Sequence, residues 1–158
     1  MLPSSLLVGL LAALCNPAHG LVFRDKIKQA VGGDTLYLHH DIEDATSVRF
    51  SKTTDSATLG WKFDTEGFAD DEAVITPLDS SKTLVCELDK RCTLELDGLR
   101  QPYRLARVDQ TQPIFTFQDI ASGLYVSRTD DLGLELTGNA VDTIYFELEA
   151  IRDSNAQI

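Results

Sequence analysis

The sequence predicts an all-β domain, and three observations support this prediction. Short runs alternate apolar and polar residues, as at 36–38 (LYL) and 94–96 (LEL), and alternation with a period of two is typical of half-buried strands. Turn-forming Gly, Asp, Ser and Thr residues separate these runs. Helical spacing is weak and confined to residues 25–30. The pattern therefore favours many short strands over helices.

The first twenty residues differ in composition from the rest of the chain. Residues 6–15 read LLVGLLAALC, an apolar run with the length of a secretory h-region and shorter than the roughly 20 residues that span a bilayer. Ala18 and Gly20 supply small residues at positions −3 and −1 of a cleavage site before Leu21. We therefore expect residues 1–20 to be a secretory signal peptide and residues 21–158 to form one extracellular domain without a membrane span.

An internal repeat organises the expected mature chain. Three apolar clusters recur at a constant offset of 40 residues, from 74–75, 83–86 and 94–96 to 114–115, 123–126 and 134–136. A fourth cluster at 103–108 recurs at 146–151, an offset of 43. A looser first copy has its clusters at 21–24, 36–38, 48–50 and 61–63. The three copies span about 21–72, 73–112 and 113–152.

Three copies of four strands resemble the β-trefoil, in which six strands close a barrel and three hairpins cap it around a pseudo-threefold axis. The resemblance covers nearly all of the expected mature chain. It implies about twelve short strands in three pseudo-symmetric repeats. A different barrel or a sandwich, with strands spaced roughly 8–12 residues apart, is the structural alternative.

The charge balance excludes one large class of partner. The chain has 14 Lys plus Arg against 25 Asp plus Glu, a formal net charge of −11. So acidic a surface repels phosphate backbones, which excludes nucleic acid as the leading partner. Because strong net charge also disfavours self-association, we expect a monomer.

Two cysteines remain once the leader is removed, Cys86 and Cys92. An even pair in an oxidising compartment predicts a disulfide, here a staple across a hairpin. Closing so short a loop stabilises the fold by about 2.4 kcal/mol in the chain-entropy model.

Residues suited to catalysis are sparse. Apart from His19 in the leader, the histidines are His39 and His40, after the strand at 36–38. Neighbouring residues on a strand point to opposite faces, so we interpret them as part of a solvated loop and not as one site. No nucleophile elbow or zinc-binding histidine motif is present. We expect no enzyme activity, no bound metal and no cofactor.

An acidic stretch at residues 64–72 (DTEGFADDE) holds five carboxylates around Gly67. Carboxylates can ligate calcium. However, the stretch lacks the spacing and the terminal bidentate Glu of an EF-hand loop. We interpret it as a solvated loop between repeats.

Sugar binding is one possible function, because many secreted trefoils resemble ricin-B-type lectins with a Gln-x-Trp motif in each repeat. No Gln-x-Trp occurs in this sequence. The equivalent places hold Trp61, Tyr103 and Phe146, which the repeat pattern assigns to the core. Tyr37 and Tyr125 point away from the faces of their apolar neighbours and are the candidate sugar-stacking residues.

Protease inhibition is a second possible function, and it would act through residues 87–91 (ELDKR), which lie between the cysteines. A constrained loop loses less entropy on binding, and Lys90 or Arg91 would suit a trypsin-like pocket that presents a carboxylate. Kunitz-type soybean inhibitors and mushroom cysteine-protease inhibitors are trefoils that use loops in this way. Their reactive loops lie elsewhere in the repeat, and their flanking motifs are missing here.

Together these features predict a secreted, non-catalytic binding protein that presents loops to an extracellular or host protein. Its leader, size and single disulfide resemble those of secreted effector-like proteins of fungi, which implies a virulence role by analogy. A lectin-like module and a protease inhibitor are the alternatives. The contact surfaces would be the loops at 39–47, 64–73, 87–91 and 137–143.

Overall fold

A computed structural model describes residues 20–40, 46–54, 56–78, 80–96 and 100–152 of the chain. The expected signal peptide, apart from Gly20, and residues 41–45 of the predicted 39–47 loop lie outside these ranges. The described residues form twelve strands, one short helix and one 3₁₀ turn. The elements are β1 (Val22–Val31), β2 (Asp34–His40), β3 (Val48–Ser51), α1 (Ser56–Leu59), β4 (Trp61–Asp64), β5 (Glu72–Pro77), β6 (Thr83–Val85), β7 (Thr93–Glu95), β8 (Pro102–Arg107), β9 (Ile114–Asp119), β10 (Tyr125–Arg128), β11 (Leu134–Thr137), the 3₁₀ turn (Asp142–Ile144) and β12 (Phe146–Ala150).

Six of the strands close a barrel. The antiparallel pairs β1–β4, β4–β5, β5–β8, β8–β9, β9–β12 and β12–β1 form an unbroken ring. The hairpins β2–β3, β6–β7 and β10–β11 complete the three repeats. Each repeat supplies a barrel strand, a hairpin and a second barrel strand, which confirms the predicted all-β trefoil. Closure leaves the barrel no free strand edge.

A buried aromatic residue near the start of the second barrel strand anchors each repeat. Trp61, Tyr103 and Phe146 are all 0% exposed, which confirms the core positions predicted for them. The Trp61 indole N–H donates to the Leu38 carbonyl at 2.9 Å, and the Tyr103 hydroxyl donates to the Leu84 carbonyl at 3.1 Å. In two repeats, therefore, the polar end of the aromatic ties the barrel to its hairpin.

The aromatic of the third repeat makes no such hydrogen bond, because Phe146 has no polar side-chain atom. Its ring stacks on Phe117 with 4.8 Å between ring centroids, and Phe117 lies 5.8 Å from the Phe63 ring. Offset and tilted pairs at these distances stabilise a core beyond the area that they bury. Aromatic residues of the first and third repeats thus meet in the core.

The register between the second and third repeats differs by two residues from the predicted offset. In the barrel, Ala73 and Phe115 pair with the buried aromatics of β8 and β12. Ile75 therefore corresponds to Phe117, an offset of 42, and not to Phe115. Ile75 and Phe117 are both buried, whereas Phe115 is half-buried. A shift of two residues leaves the alternating pattern unchanged, so the pattern cannot detect it.

Candidate functional site

The disulfide loop, residues 86–92, connects β6 to β7 at the hairpin end of the molecule. A disulfide joins Cys86 and Cys92, as predicted, and both residues are buried. The Lys90 N–H donates to the Glu87 carbonyl at 3.3 Å, and Asp89 has a φ of 61°. Asp is one of the few non-glycine residues that adopt this left-handed conformation readily. The loop is therefore a short covalently closed turn.

A second set of contacts fastens the disulfide loop to the hairpin of the next repeat. The Arg91 guanidinium donates to Asp131 at 2.6 Å and to Glu135 at 2.9 Å. The Cys92 N–H donates to the Leu134 carbonyl at 2.8 Å, and Arg91 and Glu135 form a β-bridge. A guanidinium that bridges two carboxylates is held in a defined orientation.

These contacts also shift the pKa values of Asp131 and Arg91. The Thr129 hydroxyl donates to Asp131, and this bond, together with Arg91, lowers the pKa of Asp131 to about 2. The hydrogen bond to Asp131, together with the negative charges of Asp131 and Glu135, raises the pKa of Arg91. Both shifts favour the charged pair that holds the loop.

The structure separates the two basic residues that the sequence analysis treated alike. Arg91 is occupied by carboxylates of the third repeat, whereas Lys90 is 71% exposed and pairs only locally, with Glu87 at 2.9 Å. Leu88, which sequence reasoning passed over, is 62% exposed at the tip of the loop. The sequence feature that could have identified Leu88 is an apolar residue between Glu and Asp, inside a loop closed by two cysteines six positions apart.

A groove of about 520 Å³ lies beside the disulfide loop along the β6–β7 hairpin. Leu96, at its edge, is 54% exposed. The residues that line the groove are Val85, Glu87, Lys90, Arg91, Thr93, Glu95 and Leu96. The loop and this groove form one surface of mixed charged and apolar character.

The candidate sugar-stacking residues lie on two separate hairpins. Tyr37 on β2 and Tyr125 on β10 occupy equivalent places in the first and third repeats, opposite Ser51 and Thr137. Both are half-buried, and the ammonium of Lys26 lies 6.0 Å from the centroid of the Tyr37 ring. The structure therefore does not combine them into one site.

The interpretation of the histidines as part of a solvated loop is wrong, because both belong to β2. His39 is 8% exposed, and its ring nitrogens lie 2.7 Å from the Thr58 hydroxyl and 2.8 Å from the Thr53 carbonyl. The His40 ring donates to the Gly60 carbonyl at 3.2 Å, and burial lowers its pKa. These contacts give both histidines structural roles.

The acidic stretch forms ion pairs with arginines from the second repeat. Arg104 lies 3.2 Å from Glu72 and 3.9 Å from Asp71, and Arg100 lies 3.7 Å from Asp64. Across the described ranges, no group of three or more His, Cys, Asp or Glu residues is arranged to hold a metal ion.

A second concave surface, the barrel-end pocket, lies at the opposite end of the barrel from the hairpins. Strands β1, β5 and β9 begin here, and β4, β8 and β12 end here. Its volume is about 520 Å³, within the roughly 300–1,000 Å³ of small-molecule sites. The lining residues are Phe23, Asp25, Phe63, Asp70, Asp71, Leu105, Pro113, Phe115, Leu148 and Ala150.

Comparison with known proteins supports the fold. The chain is similar to a designed threefold-symmetric protein, ThreeFoil, with a TM-score of 0.63 and 14% sequence identity over 81% of this chain and 99% of that one. At this identity the likeness shows the β-trefoil fold alone. No family model and no curated protein matches the sequence.

The structure also bears on location. No helix within the described ranges is long and apolar enough to cross a membrane. The Cys86–Cys92 disulfide is compatible with an extracellular protein.

Proposed function

We propose that the protein is a secreted, non-catalytic binding protein that presents the disulfide loop to an extracellular or host protein, in the manner of an effector. The observation that carries this proposal is the combination of a fastened loop with an exposed apolar tip. The disulfide and the Arg91 ion pairs hold the loop, while Leu88 is 62% exposed.

The physical basis is preorganisation. A loop already held in one conformation loses little entropy when it binds, so more of the contact energy becomes affinity. Leu88 supplies an apolar anchor and Lys90, 71% exposed, supplies a cation next to it. A partner with an apolar depression beside a carboxylate would complement this tip.

A protease is one specific partner that this geometry favours, through Lys90 and not Arg91. Lys90 projects from the loop, and breaking its local pair with Glu87 would cost little because both side chains are exposed. The Arg91 side chain, in contrast, would have to leave two carboxylates.

The proposal is tested with purified residues 21–158 as bait against extracellular host proteins, with a glycan array and trypsin-like proteases in parallel. We expect a saturable protein partner whose affinity falls at least tenfold in Leu88→Ser. Val108→Ser is the matched control, because Val108 is also exposed (49%) but lies outside all the loops expected to form contact surfaces.

Three results would contradict the proposal that the disulfide loop is the binding site. Equal binding by Leu88→Ser and wild type would show that the site lies elsewhere. Glycan binding that free sugar competes, and that is lost in Tyr37→Ala or Tyr125→Ala, would support the lectin alternative. Inhibition of trypsin that survives Lys90→Ala together with Arg91→Ala would exclude this loop as the inhibitory site.

A further inference from the structure

The barrel-end pocket exists because equivalent residues of the three repeats differ in size. Phe63, Leu105 and Leu148 each lie two residues after the buried aromatic of their strand. Phe63 is 1% exposed, but the two leucines are only half-buried. The shorter leucines leave a hollow that the first repeat fills with a ring. Phe63 and the two leucines all line the pocket.

The surroundings of this hollow are apolar and accessible. Phe23, at the start of β1, lines the pocket and is 46% exposed. Phe115 forms part of the wall and is half-buried. Exposed apolar residues gathered around a concavity are typical of a binding site.

One position on the pocket wall carries a charge where the other repeats are apolar. Asp25, Ala73 and Phe115 are equivalent, because each pairs with the buried aromatic of the neighbouring strand. Alternation along β1 places Asp25 on the same inward side as Phe23 and Ile27. The first repeat therefore places a carboxylate at a wall position that is apolar in the other two repeats.

No side chain within the described ranges forms an ion pair or hydrogen bond with the Asp25 carboxylate. Its sequence neighbours Arg24 and Lys26 lie on the other face of β1, and Lys26 pairs with Glu149 at 3.5 Å. Burial raises the pKa of Asp25, which reflects the free-energy cost of a half-buried, unpaired carboxylate. A cation supplied from outside would remove that cost.

The other charged residues of the pocket have the same sign. Asp70 is exposed at the rim, and Asp71 lies 3.9 Å from Arg104, which is not among the lining residues. No lining residue of the pocket is basic. Together with the net charge of −11, this arrangement repels an anionic amphiphile and attracts a cationic one.

We propose that the barrel-end pocket binds a small amphipathic amine, with its apolar body against Phe115, Leu105 and Leu148 and its ammonium group at Asp25. An ammonium is the complement of an unpaired carboxylate in an apolar wall. A neutral apolar ligand would leave Asp25 without a partner. This site is independent of the disulfide loop, which lies at the other end of the barrel.

The test compares three ligands of equal chain length by isothermal titration calorimetry: n-octylamine, n-octanol and octanoate, at neutral pH and low ionic strength. The full chain and residues 21–158, which contain all twelve strands, are titrated in parallel. We expect saturable octylamine binding to at least one form, octanol binding at least tenfold weaker, and no octanoate binding.

Two variants locate the site. Asp25→Asn is expected to weaken octylamine binding at least tenfold and to leave octanol binding unchanged, whereas Asp130→Asn, an exposed position at the hairpin end, leaves both unchanged. Ala150→Trp, at the end of β12, is expected to block all binding by filling the pocket. Equal affinity for octylamine and octanol, unchanged binding by Asp25→Asn, or no octylamine binding in either form would overturn the proposal.

Discussion

The two ends of the barrel depart from threefold symmetry in opposite ways. At the hairpin end, the second repeat carries a disulfide and a guanidinium held by two carboxylates. At the end that holds the barrel-end pocket, the repeats differ in side-chain size, with Leu105 and Leu148 where the first repeat has Phe63. Added bonds produce a fastened, exposed loop, whereas removed volume produces a pocket. One scaffold can therefore form two different surfaces without a change of fold.

The largest expected effect compares two phenylalanines on β9, Phe117 in the core and Phe115 beside the barrel-end pocket. Phe117→Ala should lower the free energy of unfolding by about 3–5 kcal/mol, because the ring is buried between two others. Phe115→Ala should cost about 1–2 kcal/mol, because that ring is half-buried beside a pocket. Urea unfolding of the two variants measures the difference. Equal losses would mean that the two-residue register shift described above is wrong.

The next effect concerns the fastened end. Replacing Cys86 and Cys92 together by Ser should destabilise the protein by about 2–3 kcal/mol, because the unfolded chain regains the freedom of the closed loop. Chemical unfolding of the double variant measures this loss, and the reduced wild-type protein is the control. An unchanged unfolding midpoint in both would show that the loop is held by its ion pairs and packing alone.

A smaller effect concerns the ion pair between Arg91 and Asp131, which holds the loop in addition to the disulfide. The folded pKa of Asp131, about 2, lies below its ordinary value of 3.8. The charged carboxylate therefore contributes stability that is present above about pH 4 and is lost as the pH falls toward 2. In Arg91→Gln, the Asp131 pKa should rise part of the way to 3.8, because the Thr129 hydrogen bond remains. NMR titration of the carboxyl follows it, and an unmoved pKa would contradict the ion pair.

The smallest expected effect is a gain in stability, and it concerns Asp25 in the barrel-end pocket. The folded pKa of Asp25 is raised, so the folded state holds this proton more tightly than the unfolded chain. Stability therefore declines as the pH rises from 3.8 through the folded pKa, and the charged form destabilises the protein above it. Asp25→Asn should raise Tm at neutral pH and leave it nearly unchanged in acid. A lower Tm at neutral pH would show that Asp25 already has a stabilising partner.

The sequence by itself determined the fold class, the repeat count and the disulfide. These properties follow from patterns that the chain carries locally. Alternation with a period of two assigns each strand an inner and an outer face, and three copies of four strands close in the trefoil arrangement. The pattern also predicted that Trp61, Tyr103 and Phe146 are core residues. All three are 0% exposed.

Only the tertiary structure decided which residues meet. The alternating pattern repeats every two residues, so it could not distinguish Phe115 from Phe117 as the residue of the third repeat that is equivalent to Ile75. Arg91 contacts carboxylates 40 and 44 positions along the chain, because the hairpins of two repeats adjoin. The burial of His39 and the partial burial of Asp25 likewise depend on neighbours remote in sequence. A local pattern specifies the face that a side chain occupies, and only folding determines what it contacts there.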